Sequence, residues 1–184
     1  RDGICNTCVC LEKNDVGEIA ADHFYPISIV EKEQILEKCR AIGVCGICSI
    51  ASDLAAITVN YVAERLHLPG NSMECTAKST NKYLMRKCFE DNGDPSPRCF
   101  LVDNEIDFLD NRIVYPVIVK PTDRSGSRGI FKAENLEDVT IAIRKAREVG
   151  FEHKVIIEEY VDGKEFSVEG ITYRGEHHIL AITE

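Results

Sequence analysis

The sequence predicts an α/β layer followed by an α+β unit. Strand and helix patterns alternate through residues 1–73, a strand–loop–helix–strand run fills residues 115–169, and the chain beyond Asp162 is rich in β-formers. Shifts in pattern near Ser72 and near Asp162 divide the chain into segments 1–73, 74–161 and 162–184. Strands that alternate with helices imply a parallel sheet in the first segment.

That segment reads as a strand at TCVCL (7–11), an acidic loop, a helix over 31–41, a strand at VCGICSI (44–50) and a helix over 52–67. In the second helix Leu54, Ile57, Thr58, Tyr61 and Val62 recur at helical spacing; Ser52 is its N-cap, and Pro69 and Gly70 end it. A layer of two strands is too small to stand alone, so its sheet neighbours are expected in another region or in a longer polypeptide. The turn-rich stretch LPGNSMECTAKST (68–80) leads into a helix over 80–90 that carries Lys82, Arg86 and Lys87. After DNGDPSP breaks the pattern come strands at RCFLV (98–102) and YPVIVK (115–120), a loop over 122–129 and a return strand at GIFKA (129–133). Asn135 caps the next helix, Leu136, Val139 and Ile143 mark its buried stripe, and Gly150 stops it. The remainder is KVIIEEYV (154–161), EFSVEGITY (165–173), a turn at Gly175 and HHILAITE (177–184).

Composition narrows the function classes. With 44% hydrophobic residues, the 184-residue chain is globular material, and a net charge of −9 argues against a nucleic-acid partner, which calls for basic stripes. Small anions stay open as ligands where cations are local. The opening RDGICNTCVC lacks the layout of a secretory signal and reads as internal sequence. Residues 44–63 have the length of a membrane span but contain Asp53, Asn60, Ser49 and Ser52, so a buried strand followed by a helix, in a soluble protein, is expected. Nine cysteines cannot all pair within one chain, which fits a reducing cytoplasm. The C-x-x-C pairs Cys5/Cys8 and Cys45/Cys48, with Cys10 beside the first, raise a zinc scaffold as a rival, but knuckle glycines and a short second-pair spacing are absent. The expectation is packed thiols: Cys8 and Cys10 on one strand face, Cys45 and Cys48 in a strand with Val44, Ile47 and Ile50. His177 and His178 adjoin a hairpin turn and point to opposite faces, so they read as surface residues rather than metal ligands.

The chemistry is concentrated after Tyr115. Lys120 ends an apolar strand, where its ammonium can hold a phosphate as a point charge. The loop Ser125, Gly126, Ser127, Arg128 and Gly129 has glycines where backbone N–H groups could close over a polyanion, although a plain hairpin loop would have the same composition. The acidic strand VIIEEYVDGKEF supplies acceptors suited to a base amino group and to ribose hydroxyls.

Together TNKYLMRK, VKPTDRSGSRGI and VIIEEYVDGKEFSVEG resemble, in order and spacing, the ATP-grasp superfamily of ATP-dependent carboxylate ligases. The likeness covers nearly the whole chain and is strongest to carbamoyl-phosphate-synthase-like and amino-acid-ligase-like members. It implies a partial Rossmann-like pre-ATP-grasp domain over 1–73, the ATP-grasp N-terminal or lid subdomain over 74–161, and the first strands of the C-terminal subdomain over 162–184, in a protein cut at both ends. It implies that Lys120 contacts the α- and β-phosphates. Lys82 is then the second phosphate lysine, with Lys78 and Lys87 as competitors. The loop Ser125, Gly126, Ser127, Arg128 and Gly129 would fold over the β- and γ-phosphates. Glu158 would accept from the adenine amino group, Tyr160 and Val161 would offer backbone groups and an apolar floor to the base, and Glu165 would accept from the ribose. Glu169 lies in the right strand to support the site without an assigned contact.

ATP is the implied cofactor. Mg²⁺ is implied as well, with no ligand among these residues and its acidic pair, its Asn and a catalytic arginine expected after Glu184. The implied reaction phosphorylates a carboxylate or bicarbonate and lets an amine or ammonia displace phosphate; the partners are those small molecules, and a homo-oligomer stays open. The 184-residue piece alone is expected to bind nucleotide weakly without normal turnover. A biotin-carboxylase-type enzyme is an alternative, though its loop is usually richer in glycine, and a non-catalytic nucleotide-binding regulatory module is another.

Overall fold

The structure, a computed structural model, describes residues 5–10, 16–50, 52–102 and 113–184. Leu11 of the expected TCVCL strand and residues 12–15 of the acidic loop lie outside these. The chain begins with β1 (Thr7–Val9), a one-turn helix α1 (Val16–Ala20) and β2 (His23–Tyr25), and β1 and β2 pair in parallel with Thr7 opposite His23. Next come α2 (Lys32–Ile42) and α3 (Asp53–Leu66). Gly43 ends α2 in the left-handed conformation at φ 65°, and the Ser52 hydroxyl caps α3 by accepting from the Ala55 N–H at 3.2 Å. Ile35, Leu36 and Cys39 of α2 bury against Tyr61 and Val62 of α3, with Val9, Ile27, Val44 and Ile47 packed around them.

Three expectations fail in this part. The strand expected at 44–50 is irregular chain: the apolar anchors Val44 and Ile47 are spaced by three, which a single strand face cannot accommodate, and Cys45, Cys48 and Ile50 are exposed. The parallel partner of β1 is instead β2, a strand too short to show a period. Finally, the turn-rich reading of residues 73–80 is replaced by helix α4 (Met73–Thr80), capped by the Ser72 hydroxyl accepting from the Cys75 N–H at 3.1 Å. None of the helices among the described residues is long and apolar enough to cross a membrane.

Helix α5 (Lys82–Asn92) follows α4 directly, and then β3 (Cys99–Val102), β4 (Val117–Pro121), β5 (Phe131–Ala133), α6 (Leu136–Val149) and β6 (Val155–Glu159). These four strands form one sheet in the order β3-β6-β4-β5, every neighbouring pair antiparallel. Side chains alternate across it. Val117, Val119, Val155 and Ile157 face α6 and pack on Val139, Ala142, Ile143 and Ala146, each buried Val or Ile contributing about 1.5–3 kcal/mol of transfer free energy. Leu136, expected in the α6 stripe, lies at the first helical position and is 37% exposed; Ala142 and Ala146 complete the buried face instead. Strands β7 (Ser167–Tyr173) and β8 (Glu176–Thr183) make a separate hairpin, exposed throughout, with a bulge between Glu169 and Gly170. His177 and His178 lie on this hairpin, the former at 2.9 Å from the Thr172 hydroxyl.

Candidate nucleotide site

The sheet face opposite α6 carries Ile118 and Lys120 of β4 and Ile156 and Glu158 of β6, because Ile118 pairs with Glu158 and Lys120 with Ile156. Lys120 therefore sits diagonally across from Glu158, and its Nζ lies 2.6 Å from Glu158 Oε2. Helix α5 approaches the same face. Its N-cap, Asn81, accepts from the backbone N–H groups of Tyr83 and Leu84 at 3.1 and 3.2 Å, which fixes the start of the helix and thus of Lys82. One turn further on, Arg86 Nε donates to Glu158 Oε1 at 2.9 Å and Nη2 to Oε2 at 3.4 Å. Glu158 is 4% exposed. Burial pushes its carboxyl up, but the hydrogen bonds and charges of Arg86 and Lys120 more than reverse that and hold it below the ordinary carboxylate range.

Lys82 joins this group through the strand-to-loop junction. Its backbone N–H donates to the Thr122 carbonyl at 2.8 Å, and its ammonium donates to the Arg124 carbonyl. Burial and then the Lys120 charge push the Lys82 pKa down, against the pull of Asp53, Asp123 and Glu158. Two cations thus converge where β4 leaves the sheet. An anion placed there would offset the repulsion between the two ammonium groups and favour their charged forms.

The loop beyond them has an anchored base and an exposed tip. Asp123 accepts from the Phe151 and Glu152 N–H groups at 3.2 and 2.7 Å, and the Arg124 guanidinium lies 4.2 Å from the centre of the Phe151 ring. Gly126, Ser127 and Gly129 have φ of 68°, 55° and 75°, and a Cβ on Gly129 would meet Pro121 and Val149 at 3.2–3.3 Å, so this glycine is required by conformation and by space. Ser125, Gly126, Ser127 and Arg128 face solvent. A cavity of about 220 Å³ lies beside the loop, lined in part by Leu54, Ile57, Met73 and Leu84, but neither Lys120 nor Glu158 borders it.

A family model of the ATP-grasp domain matches residues 113–184, the stretch that holds β4, the glycine loop and Glu158. Over that stretch the chain is similar to the ATP-grasp domain. It is 32% identical over 101 residues to a D-alanine–D-alanine ligase of Marinomonas sp., covering 54% of this chain and 31% of that protein. A second D-alanine–D-alanine ligase, from Halorhodospira halophila, is 29% identical over 113 residues, covering 60% of this chain and 36% of that protein. The chain therefore spans about a third of the curated relatives it matches. Among solved structures, an L-amino acid ligase from Bacillus licheniformis superposes with a TM-score of 0.74 at 21% identity over 92% of this chain and 40% of that one. An N5-carboxyaminoimidazole ribonucleotide synthetase from Thermotoga maritima superposes with a TM-score of 0.74 at 17% identity, covering 98% and 46%. These two show the fold.

The predicted site residues fall into two groups. Lys82, Lys120 and Glu158 come together, and the loop is tied to them through the Arg124 carbonyl. Tyr160 is half-buried just past β6, with Lys132 Nζ 4.3 Å from its ring centre, and Val161 is 65% exposed beside it. Glu165 and Glu169 are solvent-exposed on the lead into β7 and on β7 itself, not gathered to the lysines. Lys78 and Lys87, the competitors of Lys82, pair on the helix surface with Glu74 at 2.6 Å and with Glu90. Arg86 is the residue that sequence reasoning passed over. The signal was present, since it lies four positions after Lys82 and so on the same helix face.

Proposed function

We propose that this chain forms the nucleotide-binding part of an ATP-dependent carboxylate–amine ligase, with segment 74–161 as the lid side of the site and 162–184 as the start of the opposing subdomain. The observation that carries the proposal is the convergence of Lys82 and Lys120, one of them already depressed by burial and by the other's charge, at the base of a loop with three left-handed residues. In this reading the two ammonium groups hold phosphate oxygens and the backbone of Ser125, Gly126, Ser127, Arg128 and Gly129 closes over the outer phosphates, excluding water. Glu158 accepts from the adenine amino group, Tyr160 and Val161 flank the base, and Glu165 reaches the ribose after the lead into β7 moves toward it. Bound ATP supplies the phosphoryl group that activates a carboxylate for attack by an amine. Because the matched relatives include D-alanine–D-alanine ligases, an amino acid is the carboxylate substrate favoured here over the bicarbonate of a carbamoyl-phosphate-synthase-like enzyme. Mg²⁺ would neutralise phosphate charge when bound; among the described residues no group of three or more His, Cys, Asp and Glu side chains could hold a metal ion.

The test is ATP affinity of the full-length protein with Lys120→Met. Loss of one charge-assisted contact of about 1.5–3 kcal/mol corresponds to a decrease of roughly 10- to 150-fold. Phosphate release that requires an amino acid and an amine, rather than bicarbonate and ammonia, would identify the substrate class. Unchanged ATP affinity in Lys120→Met would remove the proposal.

A further inference from the structure

Glu158 is gripped by two cations whose roles diverge once a nucleotide arrives. A carboxylate offers about four acceptor positions. Oε2 takes Lys120 at 2.6 Å and Arg86 Nη2 at 3.4 Å, whereas Oε1, among the described residues, takes only Arg86 Nε at 2.9 Å. If Lys120 serves phosphate, its ammonium is drawn away, and a carboxylate that is 4% exposed would be left without a counter-ion unless another remained. Arg86 is that other. It reaches the site from a helix whose start is fixed by Asn81, and its planar fork constrains the carboxylate plane in a way a single ammonium cannot.

Resting on the nucleotide-site reading above, we infer that Arg86 is the positioning residue for the nucleoside end, orienting Glu158 as an ionised acceptor whose open position on Oε1 selects a base with an amino group. An ionised carboxylate accepts from the C6 amino group of adenine and repels the C6 carbonyl of hypoxanthine. A protonated one donates to that carbonyl and loses the preference. Among the described residues, the groups that face Glu158 are Arg86 and, at longer range, Lys82 from α5, Lys120 from β4, and Cys99 directly opposite on β3. Of these, Arg86 and Lys120 hold the carboxyl down against burial. With Lys120 committed to phosphate and Arg86 removed, burial prevails and the carboxyl takes up a proton at higher pH.

The experiment measures ATP and ITP affinities of the full-length protein from about pH 5 to about pH 8, for wild type, Arg86→Met and Arg86→Lys. Wild type is expected to prefer ATP across the range. Arg86→Met is expected to lose about tenfold of the ATP-over-ITP ratio, with the loss growing toward acid, and Arg86→Lys to restore the pH profile while recovering only part of the ratio. An Arg86→Met protein that keeps the wild-type ratio at every pH, even with weaker binding overall, overturns the inference and leaves the nucleotide site standing. If Arg86→Met does not fold, Arg86→Lys decides: an unchanged ratio overturns the inference. Wild-type protein that binds neither nucleotide overturns the underlying site as well.

Discussion

Replacing Glu158 by Gln is expected to destabilise the chain by about 2–3 kcal/mol at neutral pH. Removing one partner from a fully buried ion pair costs about 3–5 kcal/mol, because the remaining charge stays uncompensated. Here Lys120 and Arg86 keep 13% and 22% of their side-chain exposure, so both retain some hydration, and the lower part of that range and somewhat below it applies. The amide oxygen of Gln can still accept from Arg86 Nε, but the Lys120 pairing is lost. The pH dependence has a definite sign. Glu158 has a folded pKa below its unfolded value, so the stabilisation is complete above the unfolded value near 4.5 and disappears as pH falls through the folded value. Urea unfolding should thus show a midpoint lowered by about 0.7–3 M for Glu158→Gln at neutral pH, taking a slope of about 1–3 kcal/mol per M, and a difference that narrows in strong acid. Equal midpoints at neutral pH, or a gap that widens in acid, would show that the Arg86–Glu158–Lys120 group does not stabilise the fold as argued.

Other perturbations probe the supports of the site. Asn81→Ala removes the acceptor for the Tyr83 and Leu84 N–H groups and should cost about 1 kcal/mol in thermal or urea unfolding, with a smaller loss of ATP affinity than Lys120→Met. Gly129→Ala forces a side chain into the left-handed region at φ 75° and against Pro121 and Val149; it should cost about 1–2 kcal/mol, and a neutral outcome would mean the loop base is looser than its contacts indicate.

Much of the architecture was legible because local chemistry and tertiary packing agree. Ser52 and Asn135 cap α3 and α6 where a polar residue precedes an apolar stripe, and Gly150 follows the last residue of α6. The strand that carries Lys120 was legible from its apolar run, although it starts at Val117 and runs on through Pro121. What escaped was decided by contacts distant in sequence or by conflicting local signals. Helix α4 follows Pro69, Gly70 and Asn71, whose turn character masked the Ser72 cap and the Glu74–Lys78 pair. Residues 44–50 looked like a strand because they are apolar, yet Val44 and Ile47 dock as separate anchors on the α2–α3 cluster. Lys82 could not be separated from Lys78 and Lys87 by composition, since only the fold brings Lys82 to the Arg124 carbonyl. Arg86 and Glu158 are 72 positions apart, so nothing local announces that they form an ion pair.

A crystal structure of the full-length protein with a non-hydrolysable ATP analogue bears on all of this at once. The expected arrangement has the adenine amino group within hydrogen-bond reach of Glu158, Arg86 still bridging that carboxylate, and the Lys82 and Lys120 ammonium groups on phosphate oxygens. A purine lodged away from Glu158 and Val161, with Lys120 still paired to Glu158, would contradict it.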